Sequence, residues 1–144
     1  MKQNKENTNA FLIHISAFAG LIFPFGNIIT PLIAWQTLKD RSEYLDEQGK
    51  EAVNFNISYS LYFFILSAFA GSFFIGDFFR NFRGFHNHNR FSFQVDTENI
   101  FGFLGVGSVA GIVFLIGMAL VIIAGLKAKE GENYTYPFTI KFIQ

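Results

Sequence analysis

The chain has 144 residues, of which 51% are apolar and 15% charged, with 21 Phe, no Cys and a formal net charge of zero. That is the length of one domain, too rich in aromatics for a disordered chain and too apolar for a small soluble domain to bury, which leaves an integral membrane protein. The charge balance exerts no long-range pull on nucleic acid, and the absence of Cys removes disulfides, thiolate nucleophiles and Cys-ligated zinc or iron–sulfur centres.

Charge-free runs mark three hydrophobic segments, at about residues 10–35, 53–76 and 100–126. Each is long enough for a helix rising about 1.5 Å per residue to cross roughly 30 Å of hydrocarbon. A membrane barrel needs at least about eight strands, which this chain cannot supply. The expected fold is therefore an all-α membrane protein, a single integral domain over residues 1–144.

The first segment runs well past the length of a signal-peptide core. It is interrupted in its middle by Pro24, Gly26, Asn27 and Pro31. Each Pro denies a helix one donor and turns the preceding residue away from α geometry. The expectation is a break or sharp kink over Pro24–Asn27, with the Asn27 side chain bonded to backbone within this break or in an adjacent segment, because lipid offers no partner. A Pro-kinked full span and a re-entrant pair of half-helices both fit this pattern. His14 stands in the same segment as an intramembrane ionisable group. With no intramembrane carboxylate to match it, it reads most simply as a packing hydrogen-bonder.

The loop at 39–51 is the most polar stretch and reads as a solvated connector, or more sharply as a docking surface, with Gly49 as a helix end. The second segment then opens with Glu51, Asn54, Ser58 and Tyr62, at spacings that put them on one helix face. Such a polar stripe costs free energy in a membrane unless it meets protein or water. It reads as hydrogen-bonding to other helices, or alternatively as the mouth of a hydrophilic path.

The second loop, 77–98, interleaves Phe with Arg80, Arg83 and Arg90. Between two spans this reads as an interfacial layer, with rings at headgroup depth and guanidinium heads in water. His86 and His88 are too few for a zinc site. The third segment carries Gly107 and Gly111 on one face, the spacing that lets a neighbouring helix approach closely. In the C-terminal tail Tyr134, Tyr136, Phe138, Ile140 and Phe142 alternate, as on one face of a short extended segment. Pro137 makes it an edge or a surface ribbon.

Two spans separate the first loop from the tail, so these share a side, and their Lys and Arg place them in the cytoplasm. If the first segment spans fully, the basic residues divide six to five; if it is re-entrant, they divide eight to three. No carboxylate pair, nucleophile motif, phosphate loop or His-Glu-x-x-His appears. No enzyme activity, catalytic residue, metal site or cofactor is expected.

Four stretches resemble a known family: His14-Ile15-Ser16, Pro24 through Trp35, Lys50 through Ser58, and Tyr134 through Ile143. They are similar to the bacterial small membrane proteins of the Tic-twenty-like domain-of-unknown-function family, in order and over nearly the whole chain except the second loop. The resemblance implies a helical protein of the bacterial inner membrane with no catalytic residues, whose distant chloroplast relative is implicated in preprotein import. The expected function is a non-enzymatic assembly, scaffold or translocation-associated component. Its expected partners are the lipid bilayer and a second copy or another membrane protein. The alternative is a subunit of an oligomeric pore or small-solute carrier, its path lined by the broken first segment and the stripe.

Overall fold

The structure is a computed structural model that describes residues 2–88 and 97–144, apart from the side chains at 2, 70, 72–74, 76–78 and 80–103. Four helices account for most of it: α1 (Lys2–Ile15), α2 (Gly26–Leu38), α3 (Glu43–His88) and α4 (Thr97–Glu130), with 3₁₀ turns at Ser16–Leu21 and Lys39–Arg41. There is no strand among the described residues. The chain divides into two compact units, one of Met1–Leu61 with Leu115–Gln144, the other Tyr62–Phe114.

In the first unit the first hydrophobic segment folds back on itself. The Ser16 hydroxyl donates to the Ile13 carbonyl at 2.7 Å, a local bond of the kind that bends helices, and the chain tightens from α to 3₁₀ there. It turns at residues 22–25, where Phe25 takes a left-handed conformation (φ 61°) at the N-cap of α2. The turn closes its own hydrogen bonds, Phe23 N–H to Ala19 at 3.1 Å and Gly26 N–H to Phe23 at 3.1 Å. A Cβ at position 26 would fall on the Ala19 carbonyl, so only glycine lets the two arms meet this closely. Ala34 and Leu38, near the end of α2, then pack against the cluster holding Ala10 and Ile13 of α1. The segment is thus a helical hairpin with arms of 14 and 13 residues, each roughly 20 Å long and too short to cross a bilayer alone.

Four expectations are corrected here. The break occupies residues 22–25 rather than extending to Asn27, which lies inside α2. The Asn27 amide donates at 2.8 Å to the Ser60 hydroxyl of α3, not to backbone. Pro31 does not break the chain: it is buried within a continuous α2, which forgoes one i→i−4 bond there. Among the described residues, two helical stretches rather than three are long and apolar enough to cross a membrane, Glu43–Phe69 and Leu104–Glu130.

The rest of the first unit packs around this hairpin as a bundle. α2 runs antiparallel to α3, with Asn27 against Ser60 and Trp35 against Gly49. α4 runs antiparallel to α3, with Gly117 against Tyr59 and the Tyr44 hydroxyl donating to the Ala128 carbonyl at 2.8 Å. Gly125 of α4 faces Phe11 and Ile15 of α1. Ala10, Ala52 and Ala128 meet in one core cluster, and Ala17, Phe55, Val121 and Ala124 in the other. Small residues at these contacts allow close backbone approach, which drives association where lipid supplies no hydrophobic force. Gly49 is not a helix end. α3 begins at Glu43, and Gly49 lies beneath the Trp35 ring, where a Cβ would overlap it. The polar connector shortens to residues 39–42.

The second unit contains the remainder of α3 and the first part of α4. Much of the sequence expected as a second loop is helical, up to His88 and again from Thr97. The expected interfacial layer rests on side chains outside the described residues. Leu104, Val109, Ile112 and Phe114 of α4 are exposed apolar side chains.

Candidate functional site: the C-terminal tail on α3

α4 ends in a Schellman motif. Gly131 (φ 84°) is left-handed; its N–H reaches the Ala128 carbonyl at 3.0 Å and the Glu132 N–H reaches Lys127 at 3.0 Å, which satisfies the last carbonyls and stops the helix. The tail that follows does not lie on the surface as a strand face. Tyr136 is 3% exposed and Phe138, two residues on, is 90% exposed. A turn at Pro137 and Phe138, with Phe138 at φ 57°, removes the alternation.

The tail descends beside α3 from the level of Glu47 to that of Ser58 and returns. Asn133 donates to Glu47 at 3.1 Å. Tyr136 stacks on Phe55 with ring centroids 4.0 Å apart. The Ile140 N–H donates to the Ser58 hydroxyl at 2.9 Å. On the way back the N–H groups of Phe142 and Ile143 both donate to Asn54 Oδ1, at 3.0 and 2.9 Å, and Asn54 Nδ2 donates to the Ile143 carbonyl at 2.9 Å. Lys141 pairs with Glu51 at 3.7 Å. Irregular backbone beside an apolar helix has lost water as a partner, and its polar groups need another. Glu51, Asn54 and Ser58 face this tail. Asn54 and Ser58, almost wholly buried, bond its main chain. Tyr62, the fourth residue of the stripe, lies in the second unit and is exposed.

Above this grip runs a chain of side-chain hydrogen bonds. His14 is fully buried. Its Nε2 lies 2.8 Å from Gln48 Oε1 and its Nδ1 2.9 Å from the Tyr136 hydroxyl. Gln48 Nε2 donates to Asn133 Oδ1 at 3.0 Å, and Asn133 Nδ2 passes the sequence on to the Glu47 carboxylate. Gln48 Oε1 can only accept, so the neutral imidazole carries its proton on Nε2 and accepts from Tyr136 at Nδ1. Burial raises the Tyr136 phenol well above its ordinary range, helped by Tyr134 and Glu51, so it stays a neutral donor. Every donor then points the same way, from Tyr136 through His14, Gln48 and Asn133 to Glu47, tying α1, α3 and the tail together.

A profile of the magnetosome magnetite crystal formation protein family (MamF/MmsF) matches residues 5–143. The chain belongs to that family. This corrects the Tic-twenty-like assignment, since the stretches that carried that resemblance all lie inside the matched region. No match was found among curated proteins or among solved structures. The magnetosome family match takes in both the α1–α2 hairpin and the docked tail, so the tail site is part of the family's matched sequence rather than an appendage.

Other sequence candidates fall elsewhere. A Cβ added at Gly107 or Gly111 would meet nothing within 4 Å; within α4 the close glycine approaches are at Gly117 and Gly125. Among the described residues no three His, Asp or Glu side chains come together as metal ligands. Several site residues escaped the sequence reading: Gln48, Asn133, Ser60, and the pair Trp35–Asp46, whose indole N–H donates to the carboxylate at 2.8 Å. A signal for Gln48 was present. Tyr44, Gln48, Glu51, Asn54 and Ser58 continue one face at steps of three and four, so the stripe begins two turns before the apolar run does.

Proposed function

We propose that the protein is a membrane-embedded, non-catalytic assembly component acting in magnetosome magnetite crystal formation. The family match over residues 5–143 carries this reading. Two helices of membrane-crossing length and apolarity support the membrane placement. In this reading α3 and α4 span, while the α1–α2 hairpin enters the bilayer and returns. The N-terminal arm, the first connector and the end of α4 lie at one end of the first unit, where Asn7 donates to the Lys129 carbonyl at 3.2 Å and Tyr44 to Ala128. Those three elements carry six of the 11 Lys and Arg residues, with Lys50 in α3 and Lys141 in the tail besides, which favours the cytoplasm. The open Gly107 and Gly111 face would serve contact with a second copy or another membrane protein.

The pore or carrier reading has the broken first segment and the stripe lining a path, and the break is the closed turn of the α1–α2 hairpin. Asn54 and Ser58 are instead filled by the protein's own tail, so no observation favours that reading. Removing the gene from a magnetite-forming cell, with and without restoring it, tests the proposal. Altered crystal size or number, restored by the intact gene, is expected; crystals unchanged in both would contradict it.

A further inference from the structure

We propose that the buried His14 network is a proton-operated fastening for the C-terminal tail: it holds the tail on α3 while the imidazole is neutral and lets it go when the imidazole takes a second proton. The argument rests on the direction of the hydrogen bonds. In the neutral state Tyr136 gives its proton to His14 Nδ1, and His14 Nε2 gives its own to Gln48 Oε1. A second proton turns Nδ1 into a donor aimed at the group that was donating to it. Nε2 can keep its bond to Gln48. The Tyr136 hydroxyl must swing its proton away, between the stacked Phe55 ring and the edge-on Tyr134 ring, 4.0 and 5.4 Å between centroids. The bond from Tyr136 reverses, the phenol proton loses its acceptor, and a charge appears in a site with no solvent. Moving the tail out relieves both, because Tyr136 and Asn133 are the tail's links to this network.

The surroundings offer the imidazolium no bonded counter-charge. From α3 it faces Gln48, with Glu47 reached only through Asn133. Glu51 on the same helix pairs through Oε1 with Lys141 of the tail at 3.7 Å; its Oε2 is buried without a hydrogen-bond partner and makes no bond to His14. The tail contributes Tyr134 and Tyr136, both phenols. From α2 the neighbouring core receives Ala34 and Leu38. From α4 it receives Ala124 and Ala128; Lys127 is taken by Glu132 at 2.7 Å and Lys129 sits over the Phe11 ring. The fastening is independent of the proposed role in crystal formation and is tested without mineral.

The native chain has no cysteine, so Thr135→Cys places a single spin label in the exposed part of the tail. The full-length protein in nanodiscs is titrated from about pH 8 to about pH 3, well below the ordinary imidazole range, because a fully buried imidazole resists its second proton. Label mobility and the ring ¹⁵N shifts of His14 are followed together. The label should be restricted at neutral pH and become mobile on acidification, reversibly, with the same midpoint as His14 protonation. His14→Gln, which can accept and donate but takes no proton, should keep the label restricted throughout. Three results would overturn the proposal: a label still restricted when His14 is protonated, a His14 neutral over the whole range, or the same release in His14→Gln. Should His14→Gln not fold, the coincidence of the two midpoints in the protein with native His14 decides alone.

Discussion

Asn54 holds Ile143 by both of its main-chain groups, accepting from its N–H at 2.9 Å and donating to its carbonyl at 2.9 Å. One side-chain amide thereby stands in for a neighbouring peptide group, and it does so from a position that is almost fully buried. Asn54→Leu removes these bonds and leaves the Ile143 N–H and carbonyl without their partner, while the Phe142 N–H keeps only the Ile140 carbonyl at 3.1 Å. An unsatisfied buried group costs about 1–3 kcal/mol, so a loss of about 2 kcal/mol is expected, the tail lifting away to limit it. Thermal unfolding in a mild detergent, followed by circular dichroism, reads the change; unaltered stability would mean that the tail is not held there.

The hairpin predicts a shared side for the N-terminal arm and the first connector. Single cysteines at Gln3, Asp40 and Thr135, all exposed positions, should react with an impermeant maleimide from one side of a sealed vesicle. A first segment that crossed fully would put Gln3 opposite Asp40.

Close approach predicts which glycines cannot change. Gly26→Ala and Gly49→Ala each drive a methyl into the Ala19 carbonyl or the Trp35 ring, at a cost of about 1–3 kcal/mol from overpacking. Gly107→Ala meets no atom within 4 Å and should leave unfolding of the isolated chain unmoved. If that face carries contact with another chain, the same substitution should shift the assembly size seen by light scattering.

Gly131→Ala tests the helix stop. At φ 84° a Cβ costs roughly 1–2 kcal/mol, and the added methyl also meets the Asn7 side-chain amide, whose nitrogen lies 2.9 Å from the Cβ position. The expected result is a lower unfolding temperature and faster proteolysis of the tail than in Gly131→Asn, since Asn tolerates the left-handed region better.

Some of this was legible in the residues and some was not. The apolar runs announce helices because 20 uncharged residues have few alternatives in lipid, and Pro24 with Gly26 marks the turn because both act on the local backbone. Pro31 misleads by the same local logic: a helix with packed neighbours tolerates one missing bond, and burial of Pro31 against the bundle outweighs it. The stripe of Glu51, Asn54 and Ser58 was visible as a polar face, but its partner was not. Asn54 and Ser58 bond main-chain groups of the tail, and main-chain groups leave no mark in a sequence. The tail itself misled. Its alternating Tyr and Phe residues suggested one face, and a turn at Pro137 and Phe138 separates Tyr134 and Tyr136 from Ile140 and Phe142. The His14 network joins residues 34 and 122 positions apart, a distance over which no periodicity speaks. The family, likewise, was missed because the stretches read as Tic-twenty-like are shared with the magnetosome profile match.

The central claim is that the polar stripe of α3 is the seat of the C-terminal tail. Solid-state NMR of the uniformly ¹³C,¹⁵N-labelled protein in lipid measures this directly, through the dipolar contact between the Asn54 side-chain nitrogen and the Ile143 carbonyl carbon. A strong contact is predicted, as the nitrogen lies 2.9 Å from the carbonyl oxygen, with residues 140–143 as rigid as α3. Absence of that contact, with the signals of 140–143 narrowed by motion while α3 stays rigid, would contradict it.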